Sequence, residues 1–307
     1  MIRLLALVFA AFAACAASAG PVERDVAKLR LMSANALVID AQDGHAIYSK
    51  AADEVTPIAS LTKLMTAMVV MDAAQPANDV LTVELSDFDY LKGSHSRLRL
   101  GAALTRDEML RLALMASENR AASALARYYP GGTLAFVAAM NDKAQSLGMT
   151  STHYDDPTGL SPKNVSTAND LAKLVRAAAV YPLIREYSTT PAHFVEVQPS
   201  GQTLGFNNSN ALVKNSAWDI QLQKTGYIRE AGRCVVMLAT IGSRPMVIVL
   251  LDSIGKFTRV ADAQRVKHWI ETGESLPANA FKTVLKPAPK AAKPARIQGK
   301  FVPVKAR

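Results

Sequence analysis

The sequence predicts an α/β (α+β) protein, in which an antiparallel sheet is flanked by helices and a helical lobe is inserted between its strands. Three observations predict this fold. A hairpin pattern lies near the N-terminus, helical patterns fill the middle of the chain, and strand patterns return before a closing helix. Both ends of the chain therefore build the sheet. A cleft between sheet and lobe is the usual place for a functional site.

The N-terminal half of the chain supplies the hairpin and the lobe. Apolar strands on either side of the Asp43-Gly44 turn predict a hairpin over residues 35–50. Pro57 precedes a helix, and Thr105 with Glu108 forms a capping box for the next one. Caps and breaks place the helices at about residues 60–74, 105–116, 120–129, 133–147 and 167–182.

The C-terminal half supplies the other strands. Apolar and β-branched runs predict them at residues 194–197, 211–213, 221–226, 234–241 and 246–251. The segment from Arg259 to Ile270 closes the domain as an amphipathic helix, because Val260, Ala263 and Val266 share one face with Ile270.

The two ends of the chain differ from this body. Residues 1–19 have the order of a secretory signal peptide: Arg3, an apolar run, and the cleavage pattern Ala17-Ser18-Ala19. We therefore expect an exported, periplasmic protein, with lipidation at Cys15 as a less favoured alternative. The catalytic domain then covers residues 20–276. Residues 277–307 are rich in Pro, Ala and Lys and are expected to be a disordered tail.

The amino-acid composition excludes several classes of protein. Half of the 307 residues are hydrophobic and a fifth are charged, which excludes a disordered, collagen-like or disulfide-scaffold protein. The tail has eight basic and no acidic residues, so it accounts for most of the net charge of +9. Such a tail suits peripheral contact with an anionic wall polymer or membrane, and export argues against nucleic acid. The five histidines lie at least 40 positions apart, so no metal or cofactor is predicted.

The helix that starts at Ser60 carries an unusual pair of polar residues. It is apolar nearly all round, which predicts a buried central helix, yet it contains Lys63. Ser60 and Lys63 are three residues apart and share a face. Burial lowers the pKa of a lysine and makes a neutral amine available as a base. Together these features predict an activated serine nucleophile.

Two further motifs follow in a defined order. Ser117 and Asn119 lie at a break between two helices, and Lys224-Thr225-Gly226 lies on a strand. Each short pattern is weak alone, because S-x-x-K recurs at Ser253 and S-x-N recurs at Ser33. Only the series that starts at Ser60 gives the three in the order of serine penicillin-recognising enzymes.

These motifs resemble those of the low-molecular-mass penicillin-binding proteins, with a β-lactamase/DD-transpeptidase-like fold. The likeness extends over roughly residues 30–272 and is greatest to the D-alanyl-D-alanine endopeptidase branch, the penicillin-binding protein 7-like serine DD-peptidases. It is carried by Ile58-Ala59-Ser60-Leu61-Thr62-Lys63, by the segment from His153 to Leu171, and by Gln223-Lys224-Thr225-Gly226-Tyr227-Ile228 with Ala231-Gly232-Arg233-Cys234-Val235.

The resemblance implies a set of roles. Ser60 forms an acyl-enzyme that water hydrolyses, and Lys63 accepts its proton. Ser117 and Asn119 relay the proton and hold the substrate amide. Lys224 and Thr225 bind the carboxylate end of the substrate, and Gly226 lets the substrate backbone approach the strand. The backbone N–H groups of Ser60 and Tyr227 would form the oxyanion hole.

Several alternatives remain open from the sequence. We expect a DD-endopeptidase that cuts D-Ala–diamino acid cross-links in peptidoglycan peptide stems and is inhibited covalently by β-lactam antibiotics. A DD-carboxypeptidase has the same site, but the 35 residues after the last helix are too few for the extra β-domain common in that branch. A β-lactamase is disfavoured, because neither Glu186 nor Glu196 has the setting of its catalytic Glu. A non-catalytic wall-binding scaffold is the alternative of another class.

Two further residues have weaker expectations. Arg244, beside the strand after Lys-Thr-Gly, is a candidate for binding a substrate carboxylate. The Tyr227 side chain is a candidate for preference towards cross-linked peptides. Glu118, between Ser117 and Asn119, is expected to face solvent.

Overall fold

The computed structural model describes residues 23–276. The predicted signal peptide and the predicted tail lie outside the described residues. The strands are β1 (Ser33–Asp40), β2 (Ala46–Lys50), β3 (Thr56–Pro57), β4 (Val80–Thr82), β5 (Ala103–Thr105), β6 (Val165–Ser166), β7 (Ala192–Val197), β8 (Gln202–Asn207), β9 (Asp219–Ile228), β10 (Gly232–Ile241) and β11 (Arg244–Ser253). The helices are α1 (Lys63–Asp72), α2 (Arg106–Met115), α3 (Asn119–Arg127), α4 (Gly132–Ser146), α5 (Ala168–Ala178), α6 (Pro182–Thr189) and α7 (Thr258–Thr272).

The main sheet has five antiparallel strands in the order β2-β1-β11-β10-β9. Strands from both ends of the described chain form it, which confirms the predicted architecture. Consecutive residues of β11 cover its two faces, since side chains alternate along a strand. Ile248 packs in a cluster with Trp269 of α7, whereas Val249 packs in a cluster with Leu64 of the lobe.

Helix α1 lies at the centre of the lobe, and its residues from Lys63 to Val70 are buried. Its start differs from the prediction. The α-helix begins at Lys63, and Ala59–Thr62 form a 3₁₀ turn ahead of it. The Thr62 hydroxyl donates to the Ala59 carbonyl at 2.8 Å and tightens this turn. Ser60 therefore lies in a tight turn rather than in the first turn of an α-helix.

The predicted caps of two lobe helices are confirmed. Thr105 and Glu108 form a reciprocal capping box at the start of α2. The Thr167 side chain accepts a hydrogen bond from the Asp170 N–H at the start of α5. Each cap satisfies backbone donors that the first helical turn leaves unpaired.

Three predicted elements are different in the structure. Residues 211–213, expected as a strand, belong to a 3₁₀ turn that Asn210 caps by accepting from the Leu212 N–H. Pro182, expected to end a helix, instead begins α6, where a missing N–H costs nothing. The strand expected at 194–197 is part of β7, but it pairs with the unpredicted β8 outside the main sheet.

This fold places β9 at the edge of the main sheet, next to the turn that holds Ser60. The break between α2 and α3, with Ser117, lies opposite the same edge. The lobe and the sheet edge thus form the two walls of a cleft. Within residues 23–276, no helix has the length and apolarity needed to cross a membrane.

Candidate active site

Lys63 hydrogen-bonds residues from three different segments of the cleft. Its Nζ atom donates to Ser60 Oγ at 2.9 Å, to Asn119 Oδ1 at 2.6 Å and to the Thr158 carbonyl at 2.6 Å. The lysine is completely buried, whereas Ser60 is partly exposed to the cleft. An amine thus lies within proton-transfer distance of a hydroxyl that is partly exposed to the cleft.

The environment of Lys63 lowers its pKa to about 8. Burial is the largest cause, because it disfavours the charged form. The carboxylates of Asp156, Glu118 and Asp89 act in the opposite direction and prevent a larger fall. About a tenth of the Lys63 side chains are therefore neutral at pH 7 and can accept a proton.

Lys224 is the second buried lysine of the site. Its Nζ atom donates to Ser117 Oγ at 2.8 Å and to the Thr225 carbonyl at 2.9 Å. Burial, and then repulsion from Lys63 and Arg259, holds the pKa of Lys224 well below its usual value. Ser117 has a backbone φ of 61°, a left-handed conformation that aims its hydroxyl at this lysine. The charge of Lys63 thus disfavours a charge on Lys224.

Gly226 brings the backbone of β9 against the nucleophile. A β-carbon at this residue would lie 2.9 Å from the Ile58 carbonyl oxygen and 3.1 Å from the Ser60 nitrogen. The absence of a side chain therefore lets the strand approach the backbone that precedes Ser60. Thr225, next to it, donates its hydroxyl to Ser209 Oγ at 2.7 Å.

The segment between the second and third motifs supplies a backbone carbonyl, that of Thr158, to Lys63. The Asp156 carboxylate accepts from the Thr158 hydroxyl at 2.5 Å and from the N–H groups of Gly159 and Ser161, each at 2.8 Å. These bonds fold the loop so that the Thr158 carbonyl faces Lys63. Buried Asn164 joins this loop to the Ser60 turn, donating to Thr62 Oγ1 at 3.0 Å.

Comparison with known proteins agrees with this arrangement. The family model described as D-alanyl-D-alanine carboxypeptidase, of peptidase family S11, matches residues 22–255. The chain belongs to the S11 peptidase family. It is 48% identical over 284 residues to a D-alanyl-D-alanine endopeptidase of Pseudomonas aeruginosa, covering 91% of this chain and 92% of the relative. It is 49% identical over 250 residues to a D-alanyl-D-alanine endopeptidase of Escherichia coli, covering 81% of each.

A solved structure supports the fold. The DD-transpeptidase of Streptomyces K15 superposes with a TM-score of 0.74 and 27% identity, over 79% of this chain and 98% of that one. The resemblance predicted from the motifs is thereby confirmed, and the S11 peptidase described here is a hydrolase of the serine DD-peptidase type.

In this S11 peptidase, the second copies of the S-x-x-K and S-x-N patterns lie outside the active site. Ser253, in the second S-x-x-K, is buried at the end of β11 and hydrogen-bonds Ser33 Oγ at 2.7 Å. Ser33 in turn belongs to the second S-x-N and donates to Asp262. These residues form a polar cluster between β1, β11 and α7, and Lys256 is exposed.

Two predictions about this site are wrong. The Arg244 side chain forms an ion pair with Asp40 at 2.5 Å, and β11 begins there, opposite Ile241. Lys224 lies opposite Val236, five residues further along β10, so Arg244 is roughly 15 Å or more from the site. Glu118 does not face solvent. It is 8% exposed, and burial raises its pKa despite the hydrogen bond that its carboxylate accepts from the Arg120 N–H at 3.2 Å.

Arg259 of the S11 peptidase also lies at the site and was not predicted from the sequence. Its guanidinium donates to the Gly226 carbonyl at 3.0 Å and to the Cys234 carbonyl at 3.2 Å, beside the Lys-Thr-Gly strand. Burial, and then repulsion from Arg233, lowers its pKa. One signal was available: a basic residue in the first turn of a helix opposes the helix dipole. No cluster of potential metal ligands occurs within residues 23–276.

Tyr227 lies at the mouth of the cleft. Its side chain is 56% exposed, and the Arg233 guanidinium lies 4.4 Å from the centre of its ring. The pair joins neighbouring positions of β9 and β10, next to Gly226 and Cys234.

Proposed function

We propose that this S11 peptidase hydrolyses D-Ala–diamino acid cross-links of peptidoglycan, as a DD-endopeptidase that works through an acyl-enzyme on Ser60. One observation carries the proposal. A fully buried lysine with a pKa of about 8 donates to the partly exposed hydroxyl of Ser60 and to Asn119. A lysine is costly to bury, so its place beside a serine favours a chemical role over a structural one.

In the acylation step, the neutral Lys63 amine accepts the proton of the Ser60 hydroxyl as its oxygen attacks the D-Ala carbonyl carbon. The carbonyl oxygen becomes an oxyanion, which the backbone N–H groups of Ser60 and Tyr227 would stabilise. A β-carbon at Gly226 would lie 3.1 Å from the Ser60 nitrogen, so the backbone of β9 runs close to the turn that holds Ser60. This closeness favours the assignment.

Collapse of the tetrahedral intermediate breaks the peptide bond. The leaving amine takes a proton that passes from Lys63 through the Ser117 hydroxyl, which Lys224 holds at 2.8 Å. Water then attacks the ester carbonyl, and Lys63 accepts a proton from this water. The Ser60 hydroxyl is restored when the ester bond breaks, and the donor stem leaves with a free D-Ala carboxylate.

The free edge of β9 suits a substrate that binds as an added antiparallel strand. The carboxylate end of the substrate then lies near Lys224, Thr225 and Arg259, where positive charge is concentrated. We also propose that the exposed Tyr227 side chain contributes to preference for cross-linked peptides. We propose that Arg259, rather than Arg244, contributes to binding this carboxylate.

Two relatives at nearly half identity bear the name endopeptidase, which supports cross-links as substrate over terminal D-Ala. A DD-carboxypeptidase with the same site is the second candidate, since the family model bears that name. Export to the periplasm by residues 1–19, and contact of the basic residues 277–307 with wall polymer or membrane, are further parts of the proposal.

Labelling with a fluorescent penicillin tests the acyl-serine mechanism. Purified 20–307 is labelled as wild type, as Ser60→Ala and as Ser253→Ala, the serine of the other S-x-x-K. A stable band in wild type and Ser253→Ala, absent from Ser60→Ala, is expected. Absence of a band in all three would overturn the mechanism and favour a wall-binding scaffold.

Hydrolysis of defined muropeptides then identifies the substrate. A cross-linked dimer and an uncross-linked pentapeptide are incubated with wild type and with Ser60→Ala. An endopeptidase converts the dimer to monomers faster than it removes the terminal D-Ala of the pentapeptide. The reverse order of rates would identify a carboxypeptidase.

A further inference from the structure

A short loop of the lobe, residues 89–96, packs against the start of α3 and has no role in the function proposed so far. The Asp89 carboxylate closes this loop. It accepts hydrogen bonds from the N–H groups of Leu91 at 2.9 Å and of Lys92 and Ser94 at 2.8 Å each. Burial raises the pKa of Asp89, but these bonds and the Ser94 hydroxyl outweigh it, so the pKa lies below its usual value.

Ser94 connects this loop to the site. Its backbone N–H donates to the Asp89 carboxylate at 2.8 Å, and its hydroxyl oxygen accepts from Asn119 Nδ2 at 2.9 Å. A hydroxyl has one hydrogen. When that hydrogen points to Asp89, the oxygen can only accept from Asn119, so the amide nitrogen of Asn119 must face Ser94.

The orientation of this amide determines whether its oxygen or its nitrogen faces Lys63 Nζ. With its nitrogen towards Ser94, Asn119 presents Oδ1 to Lys63 Nζ at 2.6 Å. The second hydrogen on Nδ2 remains for a substrate carbonyl. A flipped amide would set its NH₂ group against a lysine that is itself a donor, and it would withdraw this hydrogen from the cleft.

We infer that Ser94 and Asp89 are positioning residues for the reaction: they hold the Asn119 amide with its oxygen towards Lys63 and its nitrogen available to substrate. The inference rests on the proposed function and assigns to the loop a role in that same site. Neither residue touches the reacting atoms: Ser94 acts through Asn119, and Asp89 acts by holding Ser94 and by its charge near Lys63.

The loop is also held from the opposite wall of the cleft. Lys92 Nζ forms an ion pair at 2.6 Å with Glu230, in the turn between β9 and β10. The two side chains are 27% and 39% exposed. The pair joins the lobe to the sheet beyond Tyr227 and limits movement of Ser94 away from Asn119.

The test measures the second-order rate constant of acylation by a fluorescent penicillin as a function of pH. The variants are Ser94→Ala, Ser94→Thr and Asp89→Asn, with Ser123→Ala as matched control. The Ser123 hydroxyl donates to buried Asp87 at 2.8 Å in the same lobe, whereas the Asn119 amide bonds Lys63 and Ser94. Thermal melts verify that each variant folds.

Ser94→Ala is expected to lower the rate constant at least tenfold. It should also move the acid limb of the pH profile to lower pH by at least half a unit. Loss of the Oδ1 acceptor disfavours charged Lys63, while the nearby carboxylates of Asp156, Glu118 and Asp89 and the amine of Lys224 are unchanged in this variant. Asp89→Asn should shift the limb in the same direction, because it also removes a carboxylate that raises the pKa of Lys63, so Ser94→Ala is the variant that decides the inference. Ser94→Thr and Ser123→Ala should retain the wild-type profile.

Other outcomes overturn the inference. A Ser94→Ala profile with an unmoved acid limb, whether or not the rate falls, means that the residue has only a structural role. Labelling of wild type but not of Ser60→Ala keeps the proposed function intact in that case. Absence of labelling in wild type rejects the function itself, so the two failures are distinguishable.

Discussion

Gly159 packs against the backbone of Ala59, so closely that a β-carbon at residue 159 would lie 2.0 Å from the Ala59 carbonyl oxygen. Gly159 also has a φ of +80°. The contact joins the loop that orients the Thr158 carbonyl to the residue before Ser60. Neither backbone can move without moving a partner of Lys63.

Gly159→Ala is therefore expected to damage both stability and the site. We expect the free energy of unfolding to fall by more than about 2 kcal/mol, because a close backbone contact adds to the cost of a positive φ. Acylation by penicillin should slow at least tenfold in the folded fraction. Denaturant unfolding and labelling kinetics measure the two effects.

Gly148→Ala is the matched control. Gly148 has a φ of +69°, but its β-carbon would meet no atom within 4 Å. The control should cost about 1 kcal/mol and leave acylation unchanged. Equal losses in the two variants would mean that backbone strain alone, and not the contact with Ala59, explains the effect.

The pH dependence of acylation follows from the lowered pKa of Lys63. The neutral amine is the base, so the rate should rise with pH through an acid limb near the pKa of about 8. Lys224→Met removes the donor to Ser117 Oγ, whereas burial and the carboxylates of Asp156, Glu118 and Asp89 set the pKa of Lys63. The rate should therefore fall at every pH, while the limb stays near its wild-type position. Lys173→Met, at an exposed lysine of α5, should change nothing.

Glu118→Gln is expected to move the same limb in the opposite direction. The Glu118 carboxylate is buried and raises the pKa of Lys63 by its negative charge. Its removal disfavours charged Lys63, so the limb moves to lower pH. Labelling over a pH series measures the shift. A limb that moves up, or not at all, would contradict an electrostatic role for Glu118.

The fold and the central pair of the site could be predicted because each depends on local pattern. Lys63 within an apolar helix violates the usual rule of burial, and that violation is visible in the sequence. The α2 cap could be predicted for the same reason, since Thr105 and Glu108 are three residues apart.

Residues that depend on tertiary placement could not be predicted in this way. Glu118 is buried, and Ser96, which acts on its pKa, is 22 positions away in sequence. The buried carbonyl of Thr158 reaches Lys63 across 95 positions. Pro182 illustrates the ambiguity of a local signal, because proline both ends one helix and begins another.

Arg244→Met tests whether Arg244 stabilises the fold, leaving the substrate carboxylate to Arg259. Arg244 is 8% exposed and its partner Asp40 is 2% exposed, so its loss leaves an uncompensated carboxylate in the interior. We expect the free energy of unfolding to fall by about 3 kcal/mol or more, with acylation unchanged in the folded fraction. Asp40→Asn combined with Arg244→Met should recover part of the lost stability.

Arg259→Met should behave differently, because its guanidinium lies beside Gly226 at the proposed carboxylate end of the cleft. The KM for a peptide with a free terminal carboxylate should rise, and the same peptide with an amidated terminus should be cleaved equally by wild type and variant. If Arg244→Met raised this KM while Arg259→Met did not, the carboxylate would belong to Arg244 after all. The substrate would then have to reach the far end of β11, which the ion pair with Asp40 opposes.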